Sequence, residues 1–490
     1  MTITLPFDNS YARLPGHFFA RVLPSPVGAP RLIRLNRPLA AQLNLDPDWL
    51  ESPPGIDMLA GRQLPPETDP IATAYAGHQF GQFVPQLGDG RAILLGEVID
   101  RNGVRRDIQL KGAGRTPFSR GGDGRAALGP VLREYVVSEA MAAFGIPTTR
   151  ALAAVLTGET VMREAPLPGA ILTRVAASHI RVGTFQFFAA RGDTQALRDL
   201  ADHVIARHYP DASGAVQPYR ALLDAVIVAQ AELVAQWLCI GFIHGVMNTD
   251  NTSIAGETID YGPCAFLDSY DPAAVFSSID QVGRYAYANQ PRIAHWNLAR
   301  FAETVLPLLA DSDEEAIQDA EEALRGFSPV LESALNKGFR LKLGLKQEQD
   351  GDVALASDLL ALMAKEKADF TLTFRRLSDA ASGSDADLRA LFGGSAGFEP
   401  WLSRWQARLS AEPSPPGDRQ RLMQGVNPIY IPRNHLIEAA IRAASEEGDF
   451  EPFEGLLAAL SHPFEEREGL EHYARPPKEH ERVLQTFCGT

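Results

Sequence analysis

Cysteine is nearly missing from this chain, with 3 in 490 residues. So few thiols exclude a scaffold built on disulfides. A basic balance is missing too. The chain has 46 Lys and Arg against 61 Asp and Glu, a net charge of −15, which argues against a nucleic-acid backbone as partner. No basic segment followed by an apolar one opens the sequence, so no signal peptide is read. The longest apolar run, residues 221–243, is interrupted by Asp224, Gln230, Glu232 and Gln236. It therefore reads as a core helix and not as a membrane span. Fixed-period repeats and low-complexity tracts are absent. These absences lead to the expectation of a cytoplasmic, monomeric protein with neither membrane nor nucleic acid as partner.

The composition that remains, 45% hydrophobic and 22% charged, is ordinary for a globular protein. The length is ample for a sizeable core. Residues 1–70 combine prolines with short apolar pieces and a helical fragment near 37–50, and read as an irregular extension laid over a core. Residues 92–99 are apolar and partly β-branched, bounded by Gly88-Asp89-Gly90 and Asp100-Arg101-Asn102-Gly103. Asp-Gly and Asn-Gly pairs supply the positive φ that tight hairpins need. Residues 107–111 alternate as a half-buried strand with Lys111 on its polar face. The expectation from about 80 to 111 is three antiparallel strands joined by two tight turns.

A glycine- and arginine-rich stretch follows, from Gly112 to Arg125, including Arg115, Arg120, Asp123 and Gly124. Its glycines allow close backbone approach to an anion; the bland alternative is a mobile surface loop. Residues 126–144 read as a helix with Pro130 in the first turn and Gly145 past the end. Strand-like pieces recur at 151–156 and 170–175. Helices then dominate, at 221–243, 312–326, 353–365, 435–446 and 452–460, with a break at Glu412-Pro-Ser-Pro-Pro-Gly417. The fold class read from this order is α+β. A β-rich lobe with one key helix precedes an α-rich lobe, in a protein-kinase-like two-lobed arrangement. The expected divisions are an extension at 1–70, the nucleotide-binding lobe at 71–178, the helical lobe at 179–411 and a C-terminal extension at 412–490.

Residues 244–262 hold His244, Asp250, Asn251 and Asp260, polar groups of the kinds that nucleotide chemistry uses. Asp260-Tyr261-Gly262 resembles the metal-binding triplet of protein kinases, and the Asp250-Asn251 pair resembles part of their catalytic loop. Lys111 on a strand precedes Glu134 on a helix by 23 residues, the order in which a phosphate-binding lysine is held by an ion pair. Arg174 and Arg181 suit phosphate because the guanidinium forks two parallel donors. Asn251 and Asp260 are hard oxygen ligands suited to Mg²⁺ or Mn²⁺, and Asp250 can accept a proton from a hydroxyl. Singly, each has a plain alternative: a turn at Asp250-Asn251, a strand end at Asp260, a surface glutamate at 134. Their joint occurrence in this order favours phosphoryl or nucleotidyl transfer. There are departures from protein kinases. No G-x-G-x-x-G precedes Lys111, and Asn251 directly follows Asp250, which leaves the orientation of the nucleotide open.

Longer stretches carry a more specific likeness. Gln109 to Arg125, Arg174 with Ser178 to Phe185, His244 to Asn251, and Asp260 to Asp268 resemble the selenoprotein O family, also called YdiU. Tyr75-Ala-Gly-His-Gln-Phe80 and the terminal Cys-Gly-Thr extend the likeness over most of the chain. The resemblance implies a pseudokinase fold that holds ATP in reverse and transfers AMP to Ser, Thr or Tyr hydroxyls of proteins, with redox or metabolic proteins among the expected acceptors. It implies nucleotide contacts from Gly88, Gly90, Arg91, Lys111, Asp123, Gly124, Arg174 and Arg181, and a supporting Glu134. It also implies Asp250 as proton acceptor, and Asn251 and Asp260 as ligands for Mg²⁺ or Mn²⁺. A selenocysteine occurs near the C-terminus in some members; this chain has Cys488 there, and the resemblance raises a reversible Cys264–Cys488 disulfide as a redox control. UTP as donor, a phosphate-transferring kinase and a silent nucleotide-binding scaffold are the alternatives.

Overall fold

A computed structural model of the chain describes residues 5–487; Cys488 lies outside them. The first lobe is an antiparallel sheet of eight strands. In chain order its strands and those of two small hairpins are β1 (Phe19–Arg21), β2 (Arg31–Leu35), β3 (Ile71–Thr73), β4 (Gly77–Gln79), β5 (Gln82–Val84), β6 (Ala92–Ile99), β7 (Arg105–Lys111), β8 (Ala126–Ala127), β9 (Arg150–Met162), β10 (Pro166–Ala176), β11 (Phe242–Ile243) and β12 (Ala265–Phe266). The main sheet runs β1-β3-β6-β7-β10-β9-β2, with β8 paired to β10.

In β6 only Ile99 is exposed, because both faces of the sheet are covered and such a strand is mostly apolar. On one face Leu94, Ala154 and Leu172 join a core with Leu132 and Val136 of the helix Leu128–Ala143. On the other, Ile93, Leu95, Ile108 and Leu110 form a second core with Leu39, Leu50 and Leu59 of the extension. Each such leucine, isoleucine or valine gains roughly 1.5–3 kcal/mol on burial. The N-terminal residues are thus no loose covering. They supply both edge strands, β1 beside β3 and β2 beside β9, and three short helices over the outer face.

The pairing around residues 80–111 departs from three strands with two tight turns. The turn at 100–104 is made: Asp100 Oδ1 accepts from the N–H groups of Asn102 and Val104, both at 2.9 Å, between paired β6 and β7. Gly88-Asp89-Gly90 makes no hairpin. Asp89 accepts from the Thr73 N–H at 3.1 Å and its hydroxyl at 2.6 Å, so the segment runs back along β3. The strand before it, β5, pairs with β4 instead. The polar face of β7 also differs from a half-exposed strand. Asp107 and Gln109 are buried, because that face looks into the protein toward the cleft.

Helices make up most of the second lobe. The helix Pro218–Ile240 is long and apolar enough to cross a membrane by length and composition alone. Here it is packed in the core, and its Gln230 donates to the Ser253 carbonyl at 2.7 Å. It stops short of 243 because Gly241 adopts φ 75, a left-handed conformation that glycine enters without a Cβ penalty. Phe242–Ile243 then pair with Ala265–Phe266, and this small hairpin brackets the polar segment between them. The C-terminal helix Asn434–Arg442 belongs to the same core. Its preceding Arg433, fully buried, donates to Asp268 at 2.5 Å and to Asp369 at 2.9 Å.

Candidate active site

Twelve of the site residues singled out from the sequence line one cavity of about 460 Å³ between the lobes: Gly88, Gly90, Arg91, Lys111, Asp123, Gly124, Glu134, Arg174, Arg181, Asp250, Asn251 and Asp260. His244 does not. It is buried behind the loop, with Nε2 donating to the Ile259 carbonyl at 2.8 Å and Nδ1 accepting from the Val246 N–H. Burial lowers its pKa, so it is a neutral prop for the loop.

At the floor of the cavity three cations meet two carboxylates. Lys111 Nζ donates to Glu134 at 2.6 Å and to Asp260 Oδ1 at 3.2 Å. Arg174 donates to both Glu134 and Asp260 Oδ1. Arg181 donates to Asp260 Oδ2 at 2.6 Å and to the Asp250 backbone carbonyl at 2.5 Å, with its guanidinium 4.9 Å from the centre of the Tyr75 ring. The geometry follows from the elements. Lys111 ends β7, Arg174 lies on the neighbouring β10 in register with Gln109, and Glu134 faces them from its helix. Asp260 sits at φ 66, a left-handed conformation that Asp tolerates better than most side chains.

The charges are shaped by this packing. Burial alone would raise the pKa of Asp260, but Arg174, Arg181 and Lys111 hold it well below the usual carboxylate range. Glu134 is likewise lowered by Arg174 and Lys111 against its burial. Lys111 is lowered, first by burial and then by Arg174. The cluster carries one positive charge more than its carboxylates neutralise, and a buried net charge is costly unless a counter-charge joins it. An anion is the fitting occupant.

Asp250 differs. Burial pushes its pKa up to about 6. Its Oδ2 accepts from Gln79 Nε2 at 3.0 Å, and its Oδ1 is buried with no hydrogen-bond partner among the described residues. Asn251 donates through Nδ2 to the Val246 carbonyl at 3.0 Å, which leaves Oδ1 as its acceptor end. No cluster of three or more His, Cys, Asp or Glu able to hold a metal occurs among the described residues. The oxygens that could serve a metal are the Asn251 amide oxygen and the ionised Asp260. Two hard oxygens suit Mg²⁺ or Mn²⁺ when water and phosphate complete the shell.

The glycine-rich stretch is a folded flap. Ala113 bridges Arg125, and the Gly114 N–H donates to the Gly124 carbonyl at 3.0 Å. Asp123 is held by Arg163 at 2.8 Å, and Arg125 donates to the carbonyls of Ser25 and Pro26. At the mouth, Ile279 and Phe487 are exposed and line the cavity. The buried Thr486 anchors the last described residues, donating to the Pro263 carbonyl at 2.6 Å and, through its N–H, to that of Phe276 at 2.7 Å. Cys264 is buried, its thiol pushed up to about 12 by burial. Cys239 lies against Gly338, its thiol pushed up to about 11 by burial.

Sequence reasoning missed Gln79, Tyr75 and Arg163 as parts of the site. For Gln79 the available signal was a polar residue directly before Phe80-Gly81. That pair makes a two-residue turn with φ 51 and 86, which turns the hairpin β4–β5 back beside Asn248–Asp250.

A cleft with a buried cationic floor, a buried carboxyl of raised pKa and hard oxygen atoms fits a class, the enzymes that move phosphorus groups. Comparison with known proteins narrows it. The profile of the family described as "Protein adenylyltransferase SelO" matches residues 1–461. A "Protein nucleotidyltransferase YdiU" of Rhodopseudomonas palustris (strain BisB18) is 66% identical over the full length of both chains. One of the same name from Bradyrhizobium sp. (strain ORS 278) is 65% identical, again over all of both chains. The chain belongs to the SelO family and is a nucleotidyltransferase.

Proposed function

We propose that this chain is a cytoplasmic protein adenylyltransferase with a kinase-like fold, binding ATP in reverse and transferring AMP to Ser, Thr or Tyr hydroxyls of other proteins. The observation that carries this reading is the excess of buried cations at the cavity floor, Lys111, Arg174 and Arg181 against Glu134 and Asp260. Such a floor suits the terminal phosphates better than an adenine ring. With those phosphates inward, the α-phosphate faces Asp250.

In this reading the Asp250 carboxylate takes the proton of the acceptor hydroxyl. The hydroxyl oxygen bonds to the α-phosphorus, the bond from that phosphorus to the bridging oxygen breaks, and pyrophosphate leaves. A carboxylate with a pKa near 6 is ionised at neutral pH yet basic enough to take part in such a transfer. Lys111, Arg174 and Arg181 hold the charge that gathers on the leaving pyrophosphate, and Glu134 keeps Lys111 and Arg174 in place. Asn251 and Asp260 would hold Mg²⁺ or Mn²⁺, which neutralises phosphate oxygens when bound.

The name shared by the relatives leaves the donor nucleotide open, so UTP is tested beside ATP. The chain is incubated with dephosphorylated casein and with ATP labelled at the α- or the γ-phosphate, or α-labelled UTP. Label from α-ATP alone on protein supports adenylylation. Label from UTP in excess of ATP makes the enzyme a uridylyltransferase. Label from γ-ATP alone makes it a kinase, and no label makes it a silent scaffold.

Redox control through Cys264 and Cys488 belongs to the same reading. It is supported by the anchoring of Thr486 on Pro263, the residue before Cys264.

A further inference from the structure

We propose that Gln79 is a positioning residue for Asp250, and that the β4–β5 hairpin serves to hold the Asp250 carboxylate in a single orientation. The inference rests on the transfer reading above. The hairpin grips residues 248–250 at three successive points. The Phe80 N–H donates to Asn248 Oδ1 at 3.0 Å, the His78 N–H donates to Thr249 Oγ1 at 2.7 Å, and Gln79 Nε2 donates to Asp250 Oδ2 at 3.0 Å. The middle point is locked further. Thr249 donates to Gln186 Oε1 at 2.6 Å, and Gln186 Nε2 donates back to His78 Nδ1 at 2.8 Å. The hairpin therefore meets the loop as a fixed body.

The space on the other side of the carboxylate is also set by this hairpin. A Cβ added to Gly77 would lie 2.6 Å from Asp250 Oδ1 and 2.9 Å from its Cβ. Only a hydrogen at that position leaves Asp250 where it is. Donation from Gln79 on Oδ2 and a bare Cα beside Oδ1 leave one outcome. Oδ2 is held by Gln79, and the buried Oδ1, with no hydrogen-bond partner among the described residues, is packed against Gly77, so the carboxylate is fixed from both sides.

The test uses the full-length protein, casein and α-labelled ATP, and reads kcat, the KM for ATP and Tm. Gln79→Met keeps the length of the side chain and removes the donor. It is expected to lower kcat by about 10- to 100-fold, a fraction of what a general base supplies, with KM and Tm unchanged. Gly77→Ala, pressing from the other side, is expected to lower kcat as well. The double variant Gln79→Met/Asp250→Asn is expected to be no slower than Asp250→Asn alone, since Gln79 acts through Asp250. Full kcat in Gln79→Met, a loss carried by KM or Tm, or a further drop in the double variant overturns the inference. If the wild-type protein moves no α-label, the transfer reading fails and takes this inference with it; wild-type transfer with an unaffected Gln79→Met fails the inference alone.

Discussion

Arg181 joins Asp260 to the Asp250 backbone. One nitrogen, Nη1, donates to Asp260 Oδ2 at 2.6 Å and to the Asp250 carbonyl at 2.5 Å. The residue proposed for the metal and the residue proposed as base are thus set against each other by a single side chain. Arg181→Met removes both bonds and the charge while keeping the length. It is expected to cost about 3 kcal/mol, the low end for breaking a buried pair because Arg174 and Lys111 still face Asp260. Urea unfolding measures this, and calorimetry is expected to show weaker ATP binding.

Removing Asp260 tips the cluster the other way. Asp260→Ala leaves Lys111, Arg174 and Arg181 against Glu134 alone. Transfer is expected to vanish while the far-ultraviolet circular dichroism stays native. Without divalent metal, pyrophosphate is expected to raise Tm more in this variant than in the wild-type protein, since the uncompensated charge is larger. Equal shifts would show that the cations do not share one anion site.

Glu257 gives a pH signature away from the cavity floor. Burial pushes its carboxyl from the usual 4.5 up to about 7, against hydrogen bonding from the Ala177 N–H and the charge of Arg106. Between those two values the folded chain binds the extra proton, so this group's contribution to stability falls as pH rises through the window. Glu257→Gln is expected to gain on the wild-type protein by up to about 3 kcal/mol by pH 7, with no gain at pH 4. Parallel curves of Tm against pH would refute this.

Oxidation offers a separate check. In the presence of a mild oxidant the wild-type chain is expected to become two hydrogens lighter by intact mass and to yield a Cys264–Cys488 peptide. Cys264→Ser is expected to yield none and to keep its transfer rate under oxidant. A wild-type peptide map without that linkage removes redox control from the reading.

Much of the site was legible because its parts are punctuated locally. Lys111 ends an alternating strand, Glu134 lies in a helix opened by Pro130 and closed by Gly145, and Asp260 begins a short triplet. What was not legible depends on pairing across the chain. The turn signal at Gly88-Asp89-Gly90 is sound in itself, yet Asp89 spends its side chain on Thr73, and no local pattern announces that. The extension at 1–70 read as irregular because β1 and β2 are short edge strands, whose pairing comes from distant partners. Gln79 looked like an ordinary polar residue because its partner, Asp250, is 171 residues away.

The placing of β2 has a consequence for the order in which the molecule is assembled. Arg31 to Leu35 find their partners only at Ala153 to Leu156, so the edge of the sheet waits for more than a hundred residues of chain. Pairings so distant in sequence slow folding and leave strand edges open meanwhile. When β10 has docked, Lys111 and Arg174 stand buried with Glu134, and Asp260 is still to come. Folding of the second lobe adds Asp260 together with Arg181, so the cluster's excess of one positive charge is the same before and after the lobes meet.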